Sequence, residues 1–320
     1  MNRIIYILAL VFSVGNLFGQ FPGAAGTAGS TAIHQDSSIF IGWATDGDAR
    51  VGYLDIANKS LGNVVNGTVS STLGKPGIEV LSLGDSGYAT LTFEATIYDG
   101  PGFDFAVFEN AFSDYFLELA FVEVSSDGNH FVRFPATSLM QDSVQIGPWD
   151  ESSDPTTINN LAGKYRAQFG TPFDLSELSD SSILDIQKVS HVRIVDAIGS
   201  ISEASASFDQ YGNVINDPYP TDFDFGGFDL NAVGVIHQNP LGTPRLVIRE
   251  QLILPNPVSS NQPIRLANAF DKLLIFNIHG VLIDEFQYDS EFSAPLRSGH
   301  YFVKAFANSA WTTRKLIVIE

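Results

Sequence analysis

The chain has 320 residues and a formal net charge of −19, with 36 acidic residues against 17 basic ones and no cysteine. A surface this acidic repels phosphate backbones, which argues against a nucleic acid as partner. The absence of cysteine excludes disulfides, cysteine-based zinc sites, thiol nucleophiles and an N-terminal lipid anchor on cysteine. The excess negative charge lies between residues 20 and 250, which carry 30 acidic and 10 basic residues.

The N-terminal residues have the pattern of a secretory signal peptide. A short cationic start, Met1-Asn2-Arg3, precedes nine consecutive apolar residues at 4–12 and then small and polar residues up to Gly19-Gln20. Nine apolar residues are too few to cross a bilayer, which takes about 20. The pattern therefore predicts a signal peptide over residues 1–19, cleaved near Gly19 or Gln20. No later stretch is long enough to predict a membrane span.

Alternating apolar patterns predict strands rather than helices in the segment that follows. The expected strands cover residues 39–43, 88–97, 105–108, 117–124, 191–195 and 228–236. Asp127-Gly128 lies between two β-rich runs and predicts a hairpin turn, because glycine tolerates a positive φ. The helical candidates are short segments at 156–169 and 175–188. Many short strands separated by Gly, Asp and Pro turns predict an all-β sandwich.

These patterns divide the chain into four parts. We expect a signal peptide at 1–19, a main β-sandwich domain at 20–238, a linker at 239–250 and a C-terminal domain at 251–320. The linker begins Asn239-Pro240-Leu241-Gly242, and its proline and glycine content suits a domain boundary. Further strand patterns at 264–266, 272–278, 281–286, 301–306 and 315–319 predict a second, smaller sandwich.

Four sequence blocks characterise the C-terminal domain. They are PNP at 255–257, IFNIHG at 275–280, LRSGHYFVK at 296–304 and KLIV at 315–318. In order, spacing and terminal position they resemble the type A sorting domain of proteins secreted by the Type IX system of Bacteroidota. The resemblance implies an Ig/Fn3-like sandwich, recognition by the Type IX secretion machinery, and release or attachment at the outer cell surface after removal of the domain. The alternative is an ordinary terminal Fn3-like domain.

The main domain also carries family-like motifs. They are GSTAI at 29–33, SLGDSG at 82–87, DGPGFDFAVFEN at 99–110, ELAFVEVS at 118–125 and GGFDL at 226–230. These motifs resemble a widespread family of secreted proteins that carry different C-terminal sorting tails, including PEP-CTERM-type tails. Asn231 stands where that family repeats an aspartate. That family has no established enzymatic activity, and the resemblance implies a link of some members to TonB-dependent uptake, for example of cobalamin. The hairpin around Asp127 resembles discoidin and carbohydrate-binding jelly rolls, which implies a galactose-binding-like jelly-roll fold.

The loop from Asp99 to Asp104 is the strongest candidate for a cation site. Its two acids are separated by Gly and Pro and can converge on one ion, and Ca²⁺ takes roughly six to eight oxygen ligands from flexible loops. Jelly rolls of the resembled type often bind calcium between an early loop and the last strand. The hypothesis is therefore a Ca²⁺ site formed by Asp99, Asp104 and Asp229, with Glu109 and Asp196 as further ligands. The alternative is a plain turn at Asp99, with Asp104 capping a strand.

Two patterns suggest catalysis but are weak. Gly84-Asp85-Ser86-Gly87 is similar to a serine-hydrolase nucleophile loop, and Asp127-Gly128-Asn129-His130 supplies an Asp-x-x-His. This Asp-x-x-His lies in a predicted hairpin instead of near the end of an α/β domain, so we expect no serine catalysis. Acid pairs could serve a glycosidase, although 30 acids produce such pairs by chance. The pairs considered are Asp104 with Glu109 and Glu118 with Glu123.

Aromatic residues in predicted loops supply the candidate ligand-binding set, which consists of Trp149, Tyr115 and Tyr219. Exposed loop rings are what a sugar- or ring-binding surface uses, whereas the alternative is that Trp149 packs back onto the sandwich. We expect a secreted or cell-surface binding protein without catalytic residues, its ligand a glycan or a small nutrient. The alternatives are a secreted carboxylate-dependent hydrolase and a structural or adhesive surface protein. An aromatic-lined pocket with two acids about 5–10 Å apart would favour the hydrolase.

Overall fold

The computed structural model describes residues 21–240, 253–307 and 310–320. Within these ranges the chain forms β-strands and short 3₁₀ helices, without an α-helix. Contacts divide the chain into two compact units, Met1–Leu241 and Gly242–Glu320. The prediction of an all-β protein is confirmed. The predicted signal peptide and most of the predicted linker lie outside the described residues.

The first unit contains the following elements in chain order. The strands are β1 (Ile33–His34), β2 (Gly42–Trp43), β3 (Asp46–Arg50), β4 (Leu81–Ser82), β5 (Tyr88–Ile97), β6 (Phe105–Glu109), β7 (Ala120–Ser125), β8 (Val132–Arg133), β9 (Thr137–Ser138), β10 (Ile158–Asn159), β11 (Phe169–Phe173), β12 (Val189–Asp196) and β13 (Asp229–Val235). The 3₁₀ helices are Lys59–Leu61, Val69–Thr72, Pro155–Thr157 and Leu175–Leu178.

Two antiparallel sheets and a separate antiparallel pair, β9 with β10, build the described part of the first unit. One has the strand order β1-β11-β6-β13-β2, with β4 also paired to β13, and the other has the order β3-β5-β12-β7-β8. The chain changes sheet at each step from β4 to β7 and again from β11 to β13, which gives a jelly-roll-like sandwich. Apolar side chains from both sheets fill one core, including Leu91, Val122 and Val192 from one sheet and Val107 and Val233 from the other. The predicted sandwich fold is confirmed.

Strand β6 is buried on both faces. Phe105 and Val107 pack in the core between the sheets. Phe108 faces the opposite way and packs against Phe40 and Trp43, with ring centroids 5.5 Å and 5.6 Å apart. A strand that is covered on both faces has a continuous run of apolar residues, and β6 has this pattern from Phe105 to Phe108.

The predicted helices at 156–169 and 175–188 do not form. In the second segment the 3₁₀ helix Leu175–Leu178 makes a single turn, capped by the Asp174 carboxylate, which accepts a hydrogen bond from Ser176 N at 2.9 Å. A single turn does not sustain itself, since helix nucleation is unfavourable. Leu175 and Leu178 are buried in the sandwich core, so packing ends the helical pattern there.

The predicted hairpin is confirmed, because β7 pairs with β8 around Gly128, whose φ is 77°. The Asp127 carboxylate accepts hydrogen bonds from His130 N at 2.9 Å and from Asn129 N at 2.8 Å. These hydrogen bonds hold the pKa of Asp127 below its usual range, and the one from His130 N has the largest effect. The side chain therefore stabilises the turn in its ionised form.

The second unit is a six-stranded sheet. Its strands are β14 (Ile253–Leu254), β15 (Val258–Ser259), β16 (Pro263–Asn277), β17 (Leu282–Ser293), β18 (Gly299–Ala307) and β19 (Ala310–Ile319). They follow the order β14-β16-β18-β19-β15, with β17 paired to β16. Asn256, from the PNP block, donates to Lys315 O and accepts from Ile317 N, both at 2.9 Å. The first sequence block is thus tied to the last strand.

Candidate functional site

The residues predicted to bind calcium lie at two different places in the sandwich. Asp104 directly precedes β6 and Glu109 ends it, and five residues of strand span about 17 Å. Asp229 begins β13 next to Leu230, the register partner of Glu109. Asp196 accepts a hydrogen bond from Phe228 N at 2.9 Å and so belongs with Asp229. The structure therefore does not bring Asp104 together with Glu109, Asp196 and Asp229.

Asp104 is grouped instead with Asp99 and with Asp174, and Asp174 was not among the predicted ligands. One carboxylate oxygen from each of these three residues lies within 4.8 Å of the other two. Oδ1 of Asp99 is buried and has no hydrogen-bond partner among the described residues. We call these residues the aspartate triad.

Hydrogen bonds hold the Asp104 carboxylate in place. It accepts from Gly100 N at 2.8 Å and Leu175 N at 2.7 Å, and it lies 2.7 Å from His237 Nδ1. Burial raises the pKa of Asp104, and these hydrogen bonds oppose the rise. A Cβ at position 100 would lie 2.4 Å from His237 Nδ1, so only glycine fits there.

Six other carboxyl groups are buried near the opposite end of the sandwich. They are Asp85, Glu109, Glu118, Asp196, Asp217 and Asp229, here called the acidic cluster. None of the six forms a salt bridge within the described part of the chain. Burial is the main cause that raises the pKa of every member, to about 6 for Asp85 and Asp229. Neighbouring carboxylates add to the rise for Glu109, Glu118, Asp196 and Asp217.

Three members of the acidic cluster are held by the backbone. Asp196 accepts from Phe228 N at 2.9 Å, Asp217 accepts from Leu119 N at 2.8 Å, and Asp85 is bonded to a backbone N–H in the same way. A buried carboxylate that accepts hydrogen bonds from backbone N–H groups connects loops to the sheet. We therefore assign these three to the structure of the fold.

The other three members are less well satisfied. Oε1 of Glu109 is buried without a hydrogen-bond partner among the described residues, whereas its Oε2 accepts from Ala111 N at 2.8 Å. Asp229 accepts a hydrogen bond from the Ser82 hydroxyl. The Glu118 side chain is only 7 % exposed, and no hydrogen-bond or ion-pair partner is found for it in the described ranges. Burying a carboxyl without a partner costs free energy, so these groups are candidates for contact with a ligand.

Five rings lie beside these carboxyls and form what we call the ring cluster. Its members are Phe112, Phe116, Trp149, Phe223 and Phe225. Trp149 stacks on Phe223 with centroids 5.2 Å apart, and Phe116 stacks on Phe112 at 4.3 Å. The Trp149 side chain is 59 % exposed although it packs on its neighbours.

Glu118, Asp229 and the whole ring cluster line a single cavity of about 260 Å³, here called the aromatic cavity. Asn110 also lines it and connects it to two neighbouring cavities of about 600 Å³ and 390 Å³. The larger of these shares Asp229 and Phe225 with the aromatic cavity, and the smaller one includes Glu109. A concave site of this kind, apolar with a few polar groups, is typical of small-molecule binding.

Of the predicted ligand-binding residues, only Trp149 lines the aromatic cavity. Tyr115 is exposed but lies outside the lining, and the Tyr219 hydroxyl donates to Asp55 Oδ1 at 2.7 Å. Phe223 and Phe225, which also line the aromatic cavity, were not predicted from the sequence. The alternation of Phe and Asp before Gly226-Gly227 was the signal that could have revealed them.

The residues of the two catalytic patterns do not meet. Ser86 N donates to Asp196 Oδ2 at 3.3 Å, at the end of β12. The turn with His130 lies near the other end, where a Cβ on Gly128 would be 2.8 Å from the His191 ring. His191 and Asp196 are five residues of strand apart, or about 17 Å, so Ser86 and His130 form no triad.

Glu123, considered above as an acid partner of Glu118, is engaged elsewhere. Its carboxylate pairs with Arg133 at 2.8 Å and lies 3.8 Å from Arg193. The acid that shares the cavity with Glu118 is Asp229, 111 positions later in the chain.

The fold and the C-terminal unit together define an exported all-β protein. Residues 252–319 match the sequence model of the family described as the secretion system C-terminal sorting domain. The second unit is therefore a Type IX sorting domain, which directs the protein to the cell surface or beyond through the secretion machinery. No curated protein matches the chain. No helix in the described ranges is long and apolar enough to cross a membrane.

Proposed function

We propose that the main domain is a non-catalytic binding module and that its ligand, a glycan or a small nutrient, occupies the aromatic cavity. The supporting observation is the ring cluster, in which Phe112 and Trp149 are each 59 % exposed and Phe225 is 47 % exposed. Clustered rings left open to water mark interaction sites more often than single exposed apolar residues do. Aromatic faces also provide the surface on which sugar rings and other flat ligands stack.

Polar groups in the same cavity support this proposal. Glu118 and Asp229 offer oxygen acceptors, and the Asn110 amide offers both donors and an acceptor. A few polar groups in an otherwise apolar pocket orient a ligand and provide specificity. Because the protein is exported, these groups meet ligands outside the cell.

A carboxylate-dependent hydrolase is the second candidate, since Glu118 and Asp229 share an aromatic-lined cavity. A glycosidase needs one protonated and one ionised carboxyl, and burial raises the pKa of both groups here. Within the described residues neither group has a basic partner that would keep it ionised, so binding is better supported. Release of nitrophenol from nitrophenyl glycosides by the protein, lost in Glu118→Gln, would establish the hydrolase instead.

Replacing Trp149 by alanine should weaken ligand binding by at least about tenfold, or about 1.4 kcal/mol, because a stacking face is lost. The measurement is a glycan array followed by titration calorimetry with the best oligosaccharide. Tyr211→Ala is the matched control, since Tyr211 is 72 % exposed and lies outside the cavity lining. Equal affinity of the Trp149→Ala variant and the unmodified protein would contradict the proposed site.

We also propose that the aspartate triad binds a structural Ca²⁺. The triad places three carboxylates close together, and Asp99 Oδ1 has no partner in the described residues, which suits an oxygen-seeking cation. Calcium at about 100 times its dissociation constant should stabilise the fold by about 2.7 kcal/mol.

In a thermal melt this corresponds to a rise of roughly 5–10 °C in the Tm of the first unit. Asp99→Ala should remove most of the rise, whereas Asp127→Ala in the hairpin turn should retain it. An identical Tm in excess calcium and in excess chelator would show that these acids are turn residues only.

A further inference from the structure

We propose that the aromatic cavity binds an organic cation, with a protonated amine or quaternary ammonium group placed between the ring cluster and the carboxylates of Glu118 and Asp229. This inference rests on the proposed function, because it names the chemical class of ligand for the same cavity. It does not follow from the rings alone, since neutral sugars stack on rings as well.

The first supporting observation is a set of buried carboxyl groups that no cationic side chain of the described residues compensates. Glu118 is 93 % buried, lines the cavity, and has no hydrogen-bond or ion-pair partner found in the described part of the chain. Behind it, Glu109 Oε1 is buried and equally without a partner there. The cavity lining contains no lysine, arginine or histidine. Burial raises the pKa of Glu118, so a positive group on the ligand would favour the ionised form of this carboxyl and pair with it.

The second observation is the arrangement of the rings around the same space. Trp149 lies 5.2 Å from Phe223 and 6.3 Å from Phe225, and the two phenylalanines lie 4.6 Å from each other. Aromatic faces attract cations through the ring quadrupole, with tryptophan the strongest, and cages of such rings recognise quaternary ammonium groups. A cationic ligand would therefore use both the rings and the carboxylates of the lining.

The small number of ligand groups favours an organic cation over a metal ion at this place. A metal ion needs several oxygens close together, as in the aspartate triad, where one oxygen from each residue lies within 4.8 Å of the other two. Glu118 and Asp229 belong to no such group among the described residues. The phenylalanine and tryptophan rings of the lining also offer no oxygen ligand. A larger cation with apolar substituents can contact both carboxylates and the rings.

The test compares choline with its uncharged carbon isostere, 3,3-dimethylbutan-1-ol, by titration of the purified protein at pH 8. Ethanolamine and propan-1-ol provide a second pair of nearly equal size, in which only ethanolamine is charged at pH 8. We expect the cation of each pair to bind at least about tenfold more tightly than its neutral partner. Glu118→Gln should reduce the affinity for choline to that of the isostere, whereas Glu94→Gln, on the exposed side of β5, should not. Trp149→Ala should weaken the binding of both members of each pair.

Equal affinity for choline and the isostere, or unchanged choline binding by Glu118→Gln, would overturn the inference. Thermal melting checks the fold of this variant, and we expect its Tm to be no lower, because the substitution removes a buried carboxyl. A different outcome would overturn only the cation inference. In that outcome glucose or another neutral sugar binds, Trp149→Ala abolishes its binding, and the cationic probes bind no more tightly than their neutral partners. If no probe binds and the glycan array also shows no ligand, or if Trp149→Ala leaves the binding of every ligand unchanged, the proposed function fails with the inference.

Discussion

Deletion of residues 251–320 should abolish delivery to the cell surface and leave a folded main domain in the periplasm. The deleted segment contains the whole match to the sorting domain, at 252–319. Its core, built around Leu273, Val303 and Leu316, is a cluster separate from that of the first unit. Units with separate cores can fold independently. The loss of export should therefore be nearly complete, without unfolding of the main domain.

The measurement is protease accessibility on intact cells of the native host, combined with fractionation of the periplasm. A control with the intact sorting domain and Asp127→Ala in the main domain should be exported normally. Substitution of Asn256 by alanine, which removes two hydrogen bonds to β19, should reduce export to a smaller extent. Surface display of the truncated protein would refute the assignment of sorting to this segment.

Lowering the pH from 8 to 5 should stabilise the first unit instead of destabilising it. The carboxyls of the acidic cluster have pKa values raised above their unfolded values, mainly by burial. The folded state then binds more protons than the unfolded state, so the free energy of unfolding falls as the pH rises. The pKa values of Asp85 and Asp229 are about 6 in the folded protein, against 3.8 in the unfolded chain. Much of the decrease in the free energy of unfolding therefore falls between about pH 4 and pH 6.

Each of these two groups accounts for at most about 3 kcal/mol, since one pKa unit corresponds to about 1.4 kcal/mol. A change of about 3 kcal/mol shifts the Tm of a domain this size by roughly 6–12 °C. Asp209 has the opposite effect on the pH dependence of stability. Hydrogen bonds from Ser138 N and Asn213 outweigh its partial burial and lower its pKa, so the stability that they provide is lost in strong acid. The Tm should therefore be highest near pH 4–5.

Calorimetry of the purified protein between pH 4 and pH 8 tests this expectation. Glu118→Gln should flatten the pH dependence, because it removes one of the buried titrating groups, and Glu94→Gln should leave it unchanged. A Tm that rises steadily from pH 5 to pH 8 would show that the acidic cluster remains ionised at little cost in the folded protein.

Elements with a strong local signal were predictable from the sequence. The alternation at 88–97 gave strand β5 with the same bounds, Tyr88–Ile97. The Asp127-Gly128 hairpin followed from the φ that glycine permits, and the sorting domain followed from four blocks within 70 residues. In each case the information lies within neighbouring residues, because backbone propensity and side-chain alternation act over a few positions.

The candidate sites could be predicted only in part. Asp99 and Asp104 are close in sequence and do meet, but their third partner, Asp174, comes from the loop after β11. The expected meeting of Asp104 with Asp229 fails, because antiparallel pairing places Asp229 beside the far end of β6. Such pairings depend on strand order, which the local pattern does not encode.

The sequence by itself therefore determined the all-β class, the C-terminal sorting domain and the hairpin turn at Asp127-Gly128, since each depends on residues close together in the chain. Only the tertiary structure decided that Glu118, Trp149, Phe223 and Asp229 line one cavity. These residues are brought together by the crossing of the chain between two sheets, and the sheets are positioned by burial of a core to which strands of both sheets contribute. Because that burial is non-directional and involves the whole domain, no short segment of the sequence contains the geometry of the site.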